Sequence, residues 1–141
     1  FNYFYKISSM SKKILNSLNV KNIFEKRRNN YQYLYNYLSK NPYVYIPETL
    51  KLTNNFTVPW ELNFYYKNSQ KLISYLLKNN ISVSYFPELH PSVLNNNIFT
   101  LENKLLHKSI NLPVHQDIKF KDIKKIIYFI DKYFFENYGK L

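Results

Sequence analysis

A single glycine, Gly139, serves the whole sequence, and it limits the folds and functions open to the chain more than any other feature. Glycine is the residue that enters positive-φ backbone without steric cost. A phosphate-cradling loop or a dinucleotide fingerprint needs several glycines, for tight turns and for close approach of backbone to ligand. Both are excluded here. Turns that demand positive φ fall to asparagine, the next most tolerant residue. Asparagines cluster where turns are wanted, at Asn54-Asn55, Asn79-Asn80 and Asn95-Asn96-Asn97.

The remaining composition allows an ordinary core. The 141 residues suit one domain, and 45% hydrophobic with 19% aromatic residues is a globular composition. No apolar run approaches the roughly 18 residues that span a bilayer. The opening residues Phe1 to Lys6 have no initiator Met and no signal-peptide pattern, so the expectation is a cytoplasmic protein whose true start lies upstream. With no cysteine, disulfides, thiolate catalysis and cysteine-held metals are excluded. A net charge of +11 raises the question of an anionic partner. The lysines are scattered, however, and Arg27-Arg28 is the sole arginine site. Lys, Asn, Ile, Tyr and Phe also share A/T-rich codons. A non-enzymatic basic module for an anionic partner such as nucleic acid therefore stands as the alternative reading.

Periodicity predicts helices over Ser11 to Leu18 and Val20 to Leu38. The second carries Ile23, Phe24, Tyr31, Leu34, Tyr35 and Leu38 on one face. Tyr43 to Ile46 and Phe56 to Tyr66 are rich in strand formers, the latter interrupted by Pro59. Ser69 reads as the N-cap of a helix with Leu72, Ile73, Leu76 and Leu77 inward, closed by a left-handed cap at Asn79-Asn80. Ile81 to Tyr85 alternates as a half-buried strand does. After a loop from Pro87 to Asn97, a short helix over Thr100 to Ser109 and a final helix over Phe120 to Asn137 are expected. The last places Ile123, Ile126, Ile127, Ile130 and Phe134 on one stripe. The implied class is α/β: a small sandwich of helices on one face of a short mixed or antiparallel sheet, preceded by a long N-terminal helix.

Residues that could carry chemistry are few. His90, His107 and His115 have neither metal-ligand spacing nor acidic companions, and no metal site is expected. No serine sits in a glycine-flanked elbow. Glu48, Glu61 and Glu88 are the only acids near the expected loops or strand ends, and solvated surface charge accounts for them.

Two segments nevertheless resemble the C-terminal part of the DegT/DnrJ/EryC1/StrS aminotransferases, which aminate nucleotide-linked keto sugars. The first is Ser8 to Leu15 followed by Ile23-Phe24-Glu25-Lys26-Arg27-Arg28-Asn29-Asn30-Tyr31. It is similar to the family's helical connection, with its arginine pair and Asn-Tyr. The second is Leu112-Pro113-Val114-His115-Gln116-Asp117-Ile118, similar to the family's closing turn. Between them, Leu76 to Ile81 and Tyr85-Phe86-Pro87-Glu88-Leu89-His90-Pro91 resemble a leucine-rich helix and a substrate-side loop. Asn80 departs from the family's glycine, and Lys119 from a small capping residue.

The resemblance implies a single domain over residues 1–141, of which 1–40 form the inter-domain helical connection. It implies pyridoxal 5'-phosphate (PLP) as the parent enzyme's cofactor, with the Schiff-base lysine in a large domain upstream. No lysine here matches that position, so no catalytic residue is assigned and the chain is expected to bind no cofactor alone. Its partners would be the large catalytic domain or a homodimer partner. The full enzyme's substrates would be a nucleotide-linked keto sugar and an amino-acid donor. Tyr85 and His90 are the candidates to hydrogen-bond a sugar hydroxyl or nucleotide phosphate. Arg27 and Arg28 are candidates to contact an anionic substrate or neighbouring subunit. His115 is expected to fix the turn before the last helix.

Overall fold

A computed structural model describes residues 7–54, 56–85, 100 and 105–139. Helix α1 spans Ser9–Ser17 and begins two residues earlier than periodicity suggests, because the Ser8 side chain accepts from Ser11 N and caps it. Asn19 does the same for α2, Val20–Leu38, by accepting from Asn22 N at 3.0 Å. The two caps break what would otherwise read as one long helix.

Only the second half of α2 enters the core. Asn30, Tyr31, Leu34, Tyr35 and Leu38 are buried, whereas Ile23 is half-buried and Phe24 is exposed. A 3-10 turn, Glu48–Leu50, precedes strand β1, Glu61–Tyr65. Helix α3 spans Ser69–Lys78, strand β2 Ser109–Pro113, and helix α4 Phe120–Tyr138.

Strands β1 and β2 pair antiparallel, with Leu62 opposite Leu112 and Phe64 opposite Ile110. These four side chains are fully buried beneath the helices. On the other face Asn63 meets Asn111, and its amide donates to Asn111 Oδ1 and Ser109 Oγ at 2.5 Å each. A single bridge from Tyr45 to Tyr65 adds a partner on one edge, and Ser84 bridges Asn111 on the other. The extended segments expected at Tyr43 to Ile46 and Ile81 to Tyr85 thus lie beside the sheet, but each contributes one bridge and not a ladder. The sheet is antiparallel, with α2, α3 and α4 on one face.

Three local expectations change. Ser69 is the first helical residue and not the cap; it is buried, and its hydroxyl donates to His107 O at 2.5 Å. Leu77 is half exposed, outside the buried stripe. The helix expected over Thr100 to Ser109 falls mostly outside the described residues, and Ser109 itself opens β2.

The end of α3 shows how the chain manages without glycine. Asn80 adopts φ 56°, Asn80 N donates to Leu77 O at 3.0 Å, and Ile81 N to Leu76 O at 2.9 Å. This is a Schellman closure, completed by the buried pair Leu76 and Ile81. Asn54 builds its turn differently: its Oδ1 accepts from Phe56 N and Thr57 N at 2.9 Å each. Asn95 to Asn97 lie outside the described residues. The sole glycine closes α4 at φ 78°, donating to Phe135 O at 2.9 Å. At that helix's start, Lys119 N donates to Asp122 Oδ2 at 3.1 Å, so the third residue's carboxylate supplies the cap that lysine lacks.

Aromatics fill the end of the core. Tyr43 stacks on Phe134 and Tyr138 with centroids 5.2 and 4.5 Å away, and the Tyr66 and Tyr138 hydroxyls meet at 2.8 Å. That hydrogen bond, helped by Lys67, holds the Tyr138 phenol below its ordinary pKa. Burial pushes the Tyr66 phenol upward.

Candidate functional site

The middle of α2 carries the Arg27-Arg28-Asn29-Asn30 run past the turn that follows β2. Asn30 is buried, and its amide donates to His115 O at 3.0 Å and Ile118 O at 3.4 Å. Arg27 Nε donates to Gln116 Oε1 at 2.8 Å. These bonds join residues 85 to 89 positions apart. The two segments that carry the resemblance are therefore joined, by Asn30 to backbone and by Arg27 to the Gln116 side chain.

The arginines divide the labour. Arg27 also lies over the Trp60 ring, 5.0 Å from its centroid, while that ring stays 74% exposed. Arg28 reaches the loop before β1 and donates to Thr57 O at 2.5 Å and Asn54 O at 2.8 Å. The pair thus ties α2 to the approach to β1 on one side and to the closing turn on the other. Tyr85 stands on a different segment, just beyond the bridge of Ser84 to Asn111, and is 51% exposed. Ser84 Oγ beside it donates to Glu61 Oε1 at 2.9 Å. His90 lies outside the described residues.

His115 makes a local closure. Its Nδ1 lies 3.2 Å from Asp117 Oδ2, and its carbonyl accepts from Ile118 N at 3.1 Å as well as from Asn30. A hollow of about 680 Å³ opens beside this turn, with Lys26, Asn29, Gln116, Asp117, Lys119 and Phe120 on its wall. A second, of about 260 Å³, lies under the 3-10 turn among Tyr31, Thr49, Thr53, Thr57 and Glu61. Burial, then the neighbouring Tyr35, pushes the Tyr31 phenol up to about 12.

Asn30, Gln116 and Trp60 were not singled out as functional by sequence reasoning. An asparagine on the inward stripe of an amphipathic helix is the signal that marks Asn30, since a buried amide must find partners. Gln116 and Trp60 carry no such mark. Among the described residues no lysine is buried. Nor do three His, Asp or Glu side chains cluster to hold a metal among them. No helix among them is long and apolar enough to cross a membrane.

No protein-family model and no curated protein matches the chain. Solved structures do. The sugar aminotransferase CalS13 from Micromonospora echinospora is 15% identical with a TM-score of 0.69, over 79% of this chain and 31% of its own. A DegT DnrJ EryC1 StrS aminotransferase from Brucella abortus is 18% identical, TM-score 0.65, over 88% and 33%. The E. coli GDP-4-keto-6-deoxy-D-mannose-3-dehydratase with bound hydrated PLP is 13% identical, TM-score 0.59, over 85% and 33%. The chain has the fold of a part of such enzymes and spans about a third of their length.

Proposed function

We propose that this chain is the small, C-terminal domain of a PLP-dependent nucleotide-sugar aminotransferase, and that alone it transfers no amino group. One observation carries the reading. The Arg27-to-Asn30 run and the Leu112-to-Ile118 turn, which both resemble segments of the family, are bonded to each other through Asn30 and Arg27. The fold likeness over about a third of longer aminotransferases supports it.

In this reading PLP supplies the electron sink when the complete enzyme holds it. The reading places the lysine that anchors it in the large domain, so the work of this chain is to bind and to position. The Tyr85 phenol and the His90 imidazole would offer hydrogen bonds to a sugar hydroxyl or nucleotide phosphate. Arg28 spends two of its five N–H groups on Thr57 O and Asn54 O, leaving others for an anionic substrate or neighbouring subunit. Arg27 would hold Trp60 at the same margin. The partners are then the large catalytic domain or a homodimer partner, a nucleotide-linked keto sugar and an amino-acid donor. The fold by itself does not select the reaction, since a dehydratase shares it.

The test is a titration of the 141-residue chain with PLP. No visible band of a lysine-bound cofactor should appear; such a band would refute the assignment of that lysine to another domain. Salt-sensitive binding to DNA or RNA would instead favour a basic module, for which the net charge of +11 is the argument.

A further inference from the structure

Helix α4 turns Ile123, Ile126, Ile130 and Phe134 into the core. At 3.6 residues per turn, Lys121, Lys125, Tyr128, Lys132 and Phe135 fall within about 40° of a single line on the opposite side, and that line runs about 21 Å. All five are exposed, Tyr128 and Phe135 by 58% each. Lys124 lies just beside the line, and Phe120, 52% exposed, stands at its N-terminal end. The outer side of an amphipathic helix is ordinarily polar throughout; here lysines are interleaved with aromatic rings.

The positive charge on this side is not neutralised. The helix has three carboxylates, and each is engaged: Asp122 accepts from Lys119 N at 3.1 Å, Asp131 from the Tyr37 hydroxyl, and Glu136 pairs with Lys132 at 3.9 Å. Among the described residues, no ion pair involves Lys121, Lys124 or Lys125. Lys124 and Lys125 instead lie over rings, 4.9 Å from the Phe120 centroid and 5.9 Å from that of Phe129. Helix α3, which meets α4 through Tyr75 and Phe129, adds exposed Lys71 and Lys78 and no acid.

We propose, independently of the function above, that the outer side of α4 docks the chain on an anionic lipid surface. Charge complementarity calls for an anionic partner, and the residue types choose among anions. Lysine is depleted where proteins bury surface against one another, since its flexible stem and strongly hydrated ammonium resist fixing, so an acidic protein fits poorly. Headgroups stay hydrated and fluid, and lysines meet their phosphates without a set register. Tyr and Phe rings between the lysines suit the boundary of headgroup and acyl chain. Single-stranded nucleic acid asks for rings close enough to stack neighbouring bases, whereas Tyr128 and Phe135 are two turns apart, about 10 Å. A second copy would set lysine against lysine. The contact is peripheral: the apolar side of α4 is occupied by the core, and no described helix is long and apolar enough to cross a membrane.

The experiment is co-sedimentation of the 141-residue chain with phosphatidylcholine–phosphatidylserine vesicles, against phosphatidylcholine alone. Binding is expected only with the anionic lipid and should weaken as salt rises. A net charge of +11 draws any face toward such vesicles, so variants locate the contact. The triple variant Lys121→Gln, Lys124→Gln, Lys125→Gln should lower the partition coefficient about a hundredfold, at roughly fivefold per lysine. Tyr128→Ser with Phe135→Ser should lower it about tenfold. The charge-matched control Lys12→Gln, Lys13→Gln, Lys21→Gln, and separately Ile14→Glu, should each change it by less than about threefold. None of these residues is buried, so all melting curves should coincide with that of the parent chain. An equal loss in the charge-matched control, a loss on Ile14→Glu, or no binding to anionic vesicles would overturn the proposal. So would binding to a mixed-sequence RNA oligonucleotide or to polyglutamate that the α4 lysine variant abolishes while vesicle binding persists.

Discussion

At the scale of single residues, the chain is held by side chains that answer buried backbone groups. Asn30→Ala would take a donor from the carbonyls of His115 and Ile118, leaving His115 O with Ile118 N alone, and is expected to cost about 1–3 kcal/mol in urea denaturation. Asn80 at φ 56° tolerates glycine but not a β-branched side chain. Asn80→Val should destabilise by about 1–2 kcal/mol while Asn80→Gly changes little, read from the same titrations. Asp131 is expected to give a reversed pH dependence. The Tyr37 hydroxyl donates to its Oδ1, and burial raises its pKa above the ordinary 3.8. The folded state therefore keeps a proton that the unfolded chain gives up, and stability falls as pH rises from 3.8 through the raised value. Asp131→Asn should remove that slope and leave the protein more stable at neutral pH, as melting curves at several pH values would show. Tyr31 repeats the logic at high pH: its stabilising effect is intact below pH 10 and declines toward pH 12, and Tyr31→Phe removes that share of the decline.

At the scale of elements, helices were legible and strands only in part. Val20–Leu38 and Phe120–Tyr138 follow from apolar periodicity and local caps, both written within a few residues. Strand β2 is a different case. Its sequence Ser-Ile-Asn-Leu-Pro is poor in strand formers, and it exists because Leu112 and Ile110 find Leu62 and Phe64 across a pairing that no local window contains. The edge segments at Tyr45 and Ser84 look like strands but bridge once each, since pairing depends on partners and not on alternation. The same limit applies to the candidate site. Arg27 and Arg28 stand out as the only arginines, yet their bonds to Gln116, Thr57 and Asn54 depend on folding. Because β2 is fully enclosed up to Leu112, Leu112→Ala is expected to cost about 2–5 kcal/mol by thermal or chemical unfolding.

At the scale of the whole molecule, two regions differ in how they are held. The described core residues from Tyr31 to Phe134 pack as one cluster around the sheet, while α1 stands clear of the core. Deleting residues 7–18 should therefore change the unfolding free energy of the remainder by no more than about 0.5 kcal/mol, measured by urea titration. The likeness to aminotransferase structures was legible from motif order, but which residues bind one another was not, because the stitching acts between residues 85 to 89 positions apart. Those separations also set a clock. Asn63 of β1 finds Asn111 of β2 48 residues later. A ribosome adding about 5–20 residues per second leaves the inner face of β1 uncovered for several seconds before its partner emerges. Until then the nascent chain displays Leu62 and Phe64 together with Met10 and Ile14 of α1, and a holding chaperone has a target in that interval.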